Sequence, residues 1–171
     1  MASSTVQPPN PLAWLVAPTV ICVIASIVMA TPIELFGLRP PEPVWAMAPA
    51  FAWAVIRPSV LPPLALLGLG AFQDALWGGA LGFWPLCLLT LYGFGFLARP
   101  VLSGQGFWSL FAWYVAACAG AFAIGVLLTI LVSDVVPNLI GVGLQFVVTA
   151  ALFPLAWRLI DAFEDADVRF R

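Results

Sequence analysis

Apolar residues come in long runs along this chain, and the polar positions between them are confined to short stretches rich in Pro, Gly and Arg. A helix crossing a hydrocarbon core of about 30 Å needs about 20 mostly apolar residues, and the breaks divide the sequence into six candidates. The first runs from Leu12 to Ala30, ended by Thr31-Pro32 and followed by a loop with Glu34, Arg39 and Glu42. The second, Val44 to Ile56, contains Pro49 and stops at Arg57-Pro58, since proline disfavours helical geometry in the residue before it. The third, Val60 to Trp77, opens with Pro62-Pro63 in its first turn, where missing amide donors cost little. The fourth runs from Leu81 to Ala98 with a stop at Arg99-Pro100, the fifth from Phe107 to Val132, and the sixth from Asn138 to Leu159.

The second segment is the short one. Its 13 residues reach only about 20 Å at 1.5 Å per residue, so residues 44–77 form either a short, tilted or thinned crossing or a re-entrant hairpin. The hairpin would put Arg57 inside the membrane at about 2.5 to 3.5 kcal/mol, which favours the crossing. Orientation follows from arginine, because positive residues in short loops are retained in the cytoplasm. With both termini inside, Arg57, Arg99, Arg158, Arg169 and Arg171 are cytoplasmic and only Arg39 is outside. The expected organisation is a polar tail over residues 1–11, one six-helix membrane domain over 12–160, and a short cytoplasmic tail over 161–171. No Lys or Arg precedes the first apolar run, so that run is expected to be a retained span and not a cleaved signal. Trp14, Trp45, Trp77, Trp84, Trp108 and Trp157 fall near span ends, where amphipathic rings favour the headgroup level. Trp53 and Trp113 do not, and are expected to be packing residues.

Composition strengthens this reading. Hydrophobic residues make up 63% of the 171 residues and charged residues 8%, with no histidine, against about 25% charge in an ordinary globular domain. A net charge of -2 with no lysine offers no basic stripe to a nucleic-acid backbone. Cys22, Cys87 and Cys118 each lie within an apolar run and lack the spacing of disulfide or metal ligands. Lipid provides no hydrophobic drive for helix association, so small residues that let backbones approach must supply it. The fifth segment carries Ala117, Ala121 and Gly125 at i, i+4, i+8, beside Ala112, Ala116 and Gly120, and is therefore expected to be the central helix, with the ladder an internal contact or a dimer face. Gly68, Gly70, Gly93 and Gly95 are expected to let the third and fourth helices cross closely.

The polar residues that stand out within or beside the spans are Ser26, Gln73, Asp74, Thr90, Tyr92, Thr129, Ser133, Gln145 and Thr149, and only Asp74 is an ionisable carboxylate. Such a residue in a membrane segment is a functional-site hypothesis by default. Gly70, Asp74 and Gly78 are spaced i, i+4, i+8, which puts Asp74 on a glycine-lined face close to the turn at Gly78-Gly79. Free amides at the start of the fourth helix carry positive partial charge and would accept a carboxylate. The leading reading of Asp74 is thus a pin between the third and fourth helices; proton or substrate handling and direct contact with a partner protein are the alternatives. There is no histidine for a Ser-His pair, and Glu34, Glu42 and Asp134 sit in separate outer loops without acid-base spacing. Gly104 and Gly106 lack the lysine and following hydroxyl residue of a phosphate loop. No catalytic group, cofactor or metal is expected.

With Arg57-Pro58 closing a short second span, GLGAFQDALWGGALG from Gly68 to Gly82, and an apolar helix closing at Ala98-Arg99-Pro100, the chain resembles the MreD family of bacterial rod shape-determining membrane proteins. The residues carrying the resemblance are Gly70, Asp74, Gly78, Leu81 and Gly82, supported by six-span size and a last helix closing in Trp157-Arg158. The sequence departs from the family at Ala80, where a proline often stands, and after the fourth helix, where only Arg99 replaces a basic cluster. The resemblance implies a non-enzymatic inner-membrane subunit of the elongation machinery for side-wall peptidoglycan. Its implied partners are an MreC-like single-span protein and, indirectly, the actin-like MreB, a RodA-type glycosyltransferase and a class B penicillin-binding protein. The family is also similar in helix number to substrate-binding subunits of vitamin transporters, so a carrier for a vitamin-like or lipidic small molecule is the rival. A polar solute would need converging polar groups at the midplane and often broken helices.

Overall fold

The computed structural model describes residues 13–30, 42–56, 59–102 and 104–168, with side chains described from 14 to 161 within those ranges. The positions of Glu34, Arg39, Arg57, Pro58, Arg169, Arg171 and the tail 1–11 lie outside them. The described residues are helical or turn, with no strand among them: α1 (Ala13–Ala30), α2 (Met47–Ile56), α3 (Leu61–Trp77), α4 (Phe83–Leu102), α5 (Phe107–Ser133), α6 (Leu139–Ala150) and α7 (Phe153–Val168). Among the described residues three helices are long and apolar enough to cross a membrane: Phe83–Leu102, Phe107–Ser133 and Leu139–Asp161, the last counting α6 and α7 as one.

The centre of the bundle is α2, not α5 as its small-residue ladder suggested. Every residue from Ala46 to Ala54 is buried, and α4 and α7 pack along the helix, with α3 and α5 touching it. Its sequence, MAPAFAWAVI, is apolar on all sides, the pattern of a helix with no outward face. Trp53 is 1% exposed; its indole N–H donates to the Trp14 carbonyl of α1 at 3.3 Å and the two rings meet edge to face. Phe51 meets the Tyr114 ring of α5 at 5.4 Å. By contrast α5 buries one stripe, while Ala112 and Ala116 are exposed and Gly120 faces open space. A long helix with one packed stripe belongs at the rim.

Other boundaries also differ from the sequence reading, each for a local reason. The fourth helix does not stop at Arg99-Pro100 but continues to Leu102. Proline there removes a single hydrogen bond in the last turn, and Leu102 anchors the end in the core at 1% exposure. The sixth run is broken at Ala151-Leu152 into α6 and α7. Pro154 lacks an amide and its ring would clash with the carbonyl four residues back; tight bonds from Leu152 N to Thr149 O and from Leu155 N to Leu152 O bridge the gap. Helical geometry in the second run begins only at Met47, three residues late.

The close crossing of α3 and α4 uses only one of its four expected glycines. A Cβ on Gly70 would lie 2.3 Å from the Pro85 nitrogen and 2.6 Å from its Cα. Gly95 instead meets Ala54 and Phe51 of α2, and Gly68 and Gly93 face open space. Glycine marks where backbones can touch; which of them do so depends on helix rotation.

Candidate functional site: the α3–α4 turn

The turn between α3 and α4 occupies residues 78–82, and Asp74 organises both sides of it. Its backbone carbonyl accepts from the amides of Gly78 and, at 3.2 Å, Gly79, closing the end of α3. Gly78 takes φ +66° to make that cap, a left-handed conformation open to glycine without a Cβ penalty. Its side chain turns to the other helix: Oδ2 accepts from Gly82 N at 2.6 Å and Oδ1 from Trp84 N at 3.0 Å. These are free amides at the start of α4, which no carbonyl within that helix can reach. The residue is 1% exposed, and both carboxylate oxygens are engaged.

The other motif residues divide by role. Gly70 sits one turn below Asp74 and lets α3 approach the Pro85 backbone. Gly82 takes φ +96° to present its amide. Leu81 is 88% exposed at the tip, and Gly78 and Gly82 are exposed with it, so of the five motif residues Gly70 and Asp74 are the buried ones. Ala80 closes the turn by accepting from Phe83 N at 3.1 Å, and a proline at that position would keep the same carbonyl. Beneath the tip, Trp77 and Trp84 pack edge to face with centroids 5.1 Å apart.

Ala117, Ala121 and Gly125 are all buried on α5, and a Cβ on Gly125 would come within 3.3 Å of the Phe83 ring and 3.4 Å of the Cys87 sulfur. The ladder therefore faces the start of α4, the same turn that Asp74 holds. The structure brings the two sets of sequence-selected residues together through α4: Asp74 fixes the backbone at Gly82 and Trp84, and the Phe83 side chain between them reaches Gly125.

A second polar cluster lies where α6 breaks. Thr149, fully buried, accepts from Val44 N through its hydroxyl at 3.1 Å and from the Tyr114 hydroxyl through its carbonyl at 3.0 Å. One turn earlier, the Gln145 amide donates to the Glu42 carbonyl at 3.0 Å. Residues 42–44, which precede α2, are thus strapped to α6. Arg99 Nε donates to the Val55 carbonyl at 3.1 Å, meeting the C-terminal end of α2. Tyr114 and Arg99 were not singled out from sequence as site residues. The signal for Tyr114 was a phenol in an apolar run otherwise supplied with phenylalanine, since a buried Tyr hydroxyl needs a partner. Gln73 has the opposite status: it is 1% exposed and both polar atoms of its amide lack a hydrogen bond, as do the indole nitrogens of Trp45 and Trp77. Among the described residues no group of three His, Cys, Asp or Glu is placed to hold a metal ion.

No family model, curated protein or solved structure matches the chain. The site defines a helical protein whose buried carboxylate joins two helices.

Proposed function

We propose that this chain is a non-enzymatic inner-membrane subunit of the bacterial cell-elongation complex, crossing the membrane six times with both termini in the cytoplasm. It binds an MreC-like single-span protein and, through that assembly, helps direct side-wall peptidoglycan synthesis by a RodA-type glycosyltransferase and a class B penicillin-binding protein, in register with MreB. The observation that carries the proposal is Asp74: the carboxylate of the motif that resembles the MreD family has both oxygens engaged in fastening α3 to α4. A fixed helical surface is what a subunit that positions other proteins requires.

The six-span arrangement draws support from two features. Short connections join α3 to α4 and α4 to α5, as between antiparallel neighbours. The ten residues of α2 rise about 15 Å, and the three preceding residues, not helical, add about 10 Å at strand-like rise. Backbone outside a helix survives at membrane depth only where protein groups satisfy it; here Thr149 takes the Val44 amide, and the Val44 and Ala46 carbonyls accept from Met47 N and Ala50 N.

The carrier reading has one observation in its favour, the broken helix α6–α7 beside the non-helical approach to α2, since broken helices often line transport sites. Thr149, Tyr114 and Gln145 at that place already hydrogen-bond within the chain. Affinity purification from native membranes decides between the two. The elongation reading expects an MreC-like protein to co-purify and depletion to turn rod-shaped cells round; a bound vitamin-like solute without a protein partner, in cells that keep their shape, would replace it with the carrier.

A further inference from the structure

We infer that the cleft between α4, α5 and α6 holds one acyl chain of a bilayer phospholipid, an inference that rests on the chain spanning a membrane. The cleft has a volume of about 100 Å³ and opens where Gly125 and Ala121 leave room beside the rings of Phe83, Trp84 and Phe122. Across a partition formed by Phe122, Val126 and Val142, which line both spaces, a shallower apolar groove of about 260 Å³ follows the seam of α5 and α6.

Polarity, size and surroundings select the occupant. Of the side chains that line it, Thr129 and Gln145 already donate within the chain, to Gly125 O at 2.9 Å and to Glu42 O at 3.0 Å, and the rest of the wall is apolar apart from the Trp84 indole N–H and the weakly polar Cys87 thiol. A strongly polar solute or headgroup entering the cleft would give up water for a wall that is mostly hydrocarbon and aromatic. A partner helix is about 10 to 12 Å across and does not fit a space of this volume, whereas a few carbons of an acyl chain do, with the rest of the chain lying along the outside of α5 and α6. Leu127, Leu139, Leu144 and Val147 on the same two helices are all more than half exposed, so what reaches the cleft from the side is hydrocarbon. Filling it restores the dispersion contacts that its walls otherwise lack. The chain would support α6, which packs on α5 and is strapped at Gln145 and Thr149.

The test uses the full-length protein, reconstituted separately into vesicles of dioleoyl phosphatidylglycerol and of dioleoyl phosphatidylcholine, extracted in mild detergent and weighed by native mass spectrometry. One lipid retained per chain from either vesicle, and its loss in Val142→Trp with an unchanged circular-dichroism spectrum, is the expected result. Absence of a retained lipid in the wild type, equal retention by the variant, or retention of one headgroup only overturns the inference. Should Val142→Trp fail to fold, Thr129→Phe fills the same cleft from α5 and is read in the same way. Alkaline extraction of native membranes separates the two levels: protein that stays in the membrane yet retains no lipid sinks the acyl-chain site alone, whereas protein released into solution sinks the membrane reading with it.

Discussion

Asp74 is one residue with three hydrogen-bonding oxygens at work, the carbonyl on α3 and both carboxylate oxygens on α4. Asp74→Asn keeps one side-chain acceptor and turns an NH₂ group toward a backbone N–H, leaving a buried donor unsatisfied. A loss of about 2 kcal/mol is expected, seen as a lower thermal unfolding midpoint in detergent, with partner binding partly kept; full stability with lost binding would make Asp74 a contact residue and not a pin. Gly70 and Gly68 form a matched pair. Gly70→Ala drives a Cβ to 2.3 Å from backbone, which no side-chain rotation relieves, and is expected to cost about 3 kcal/mol. Gly68→Ala meets nothing within 4 Å and should gain up to about 1 kcal/mol from helix propensity. Gln73→Leu removes an amide that is buried without partners, and a rise of about 1 to 3 kcal/mol in the same unfolding assay is expected. The spacing of Gly70, Asp74 and Gly78 was legible because helical periodicity alone puts them on one face. Which of Gly68 and Gly70 touches α4 was not, because that depends on the rotation of α3 about its axis.

Among the elements, the informative pair is α2 and the broken run α6–α7. An Ala-rich helix with no polar face carries no periodic signal, so its sequence shows that it is surrounded without showing by what. The break at Ala151-Leu152 has a visible cause in Pro154, but its consequence lies in another element: the Thr149 carbonyl at the break, which accepts from Leu152 N, also takes the Tyr114 hydroxyl of α5. Tyr114→Phe deletes that bond while keeping the ring against Phe51 and Phe153, and should lower stability by about 1 kcal/mol. Differential scanning fluorimetry on the purified protein measures it, and an unchanged midpoint would show that the Thr149 carbonyl does not depend on the Tyr114 donor. Pro100 illustrates the converse, a proline that does not end its helix because core burial of Leu102 outweighs one lost bond.

For the molecule as a whole, the expected topology gives a direct measurement. Reporter fusions after Arg57, Gly79, Arg99 and Val136 should read cytoplasm, periplasm, cytoplasm and periplasm. A re-entrant segment 44–77 would instead put Arg57 at a hairpin tip within the membrane and change the first reading. Apolar run length, the few charges and the i, i+4, i+8 motif belong to the sequence by itself, because each depends only on composition and helical period, and they are enough for an all-helical, apolar architecture with a carboxylate aimed at a helix start. The tertiary structure alone decided that the shortest helix is the central one, that the α5 ladder meets the same turn Asp74 holds, and that Thr149, Gln145 and Tyr114 fasten the approach to α2. Those outcomes depend on how whole helices rotate and stack to fill space. In a chain so uniformly apolar, many rotations look alike until backbone contact and buried hydrogen bonds select one.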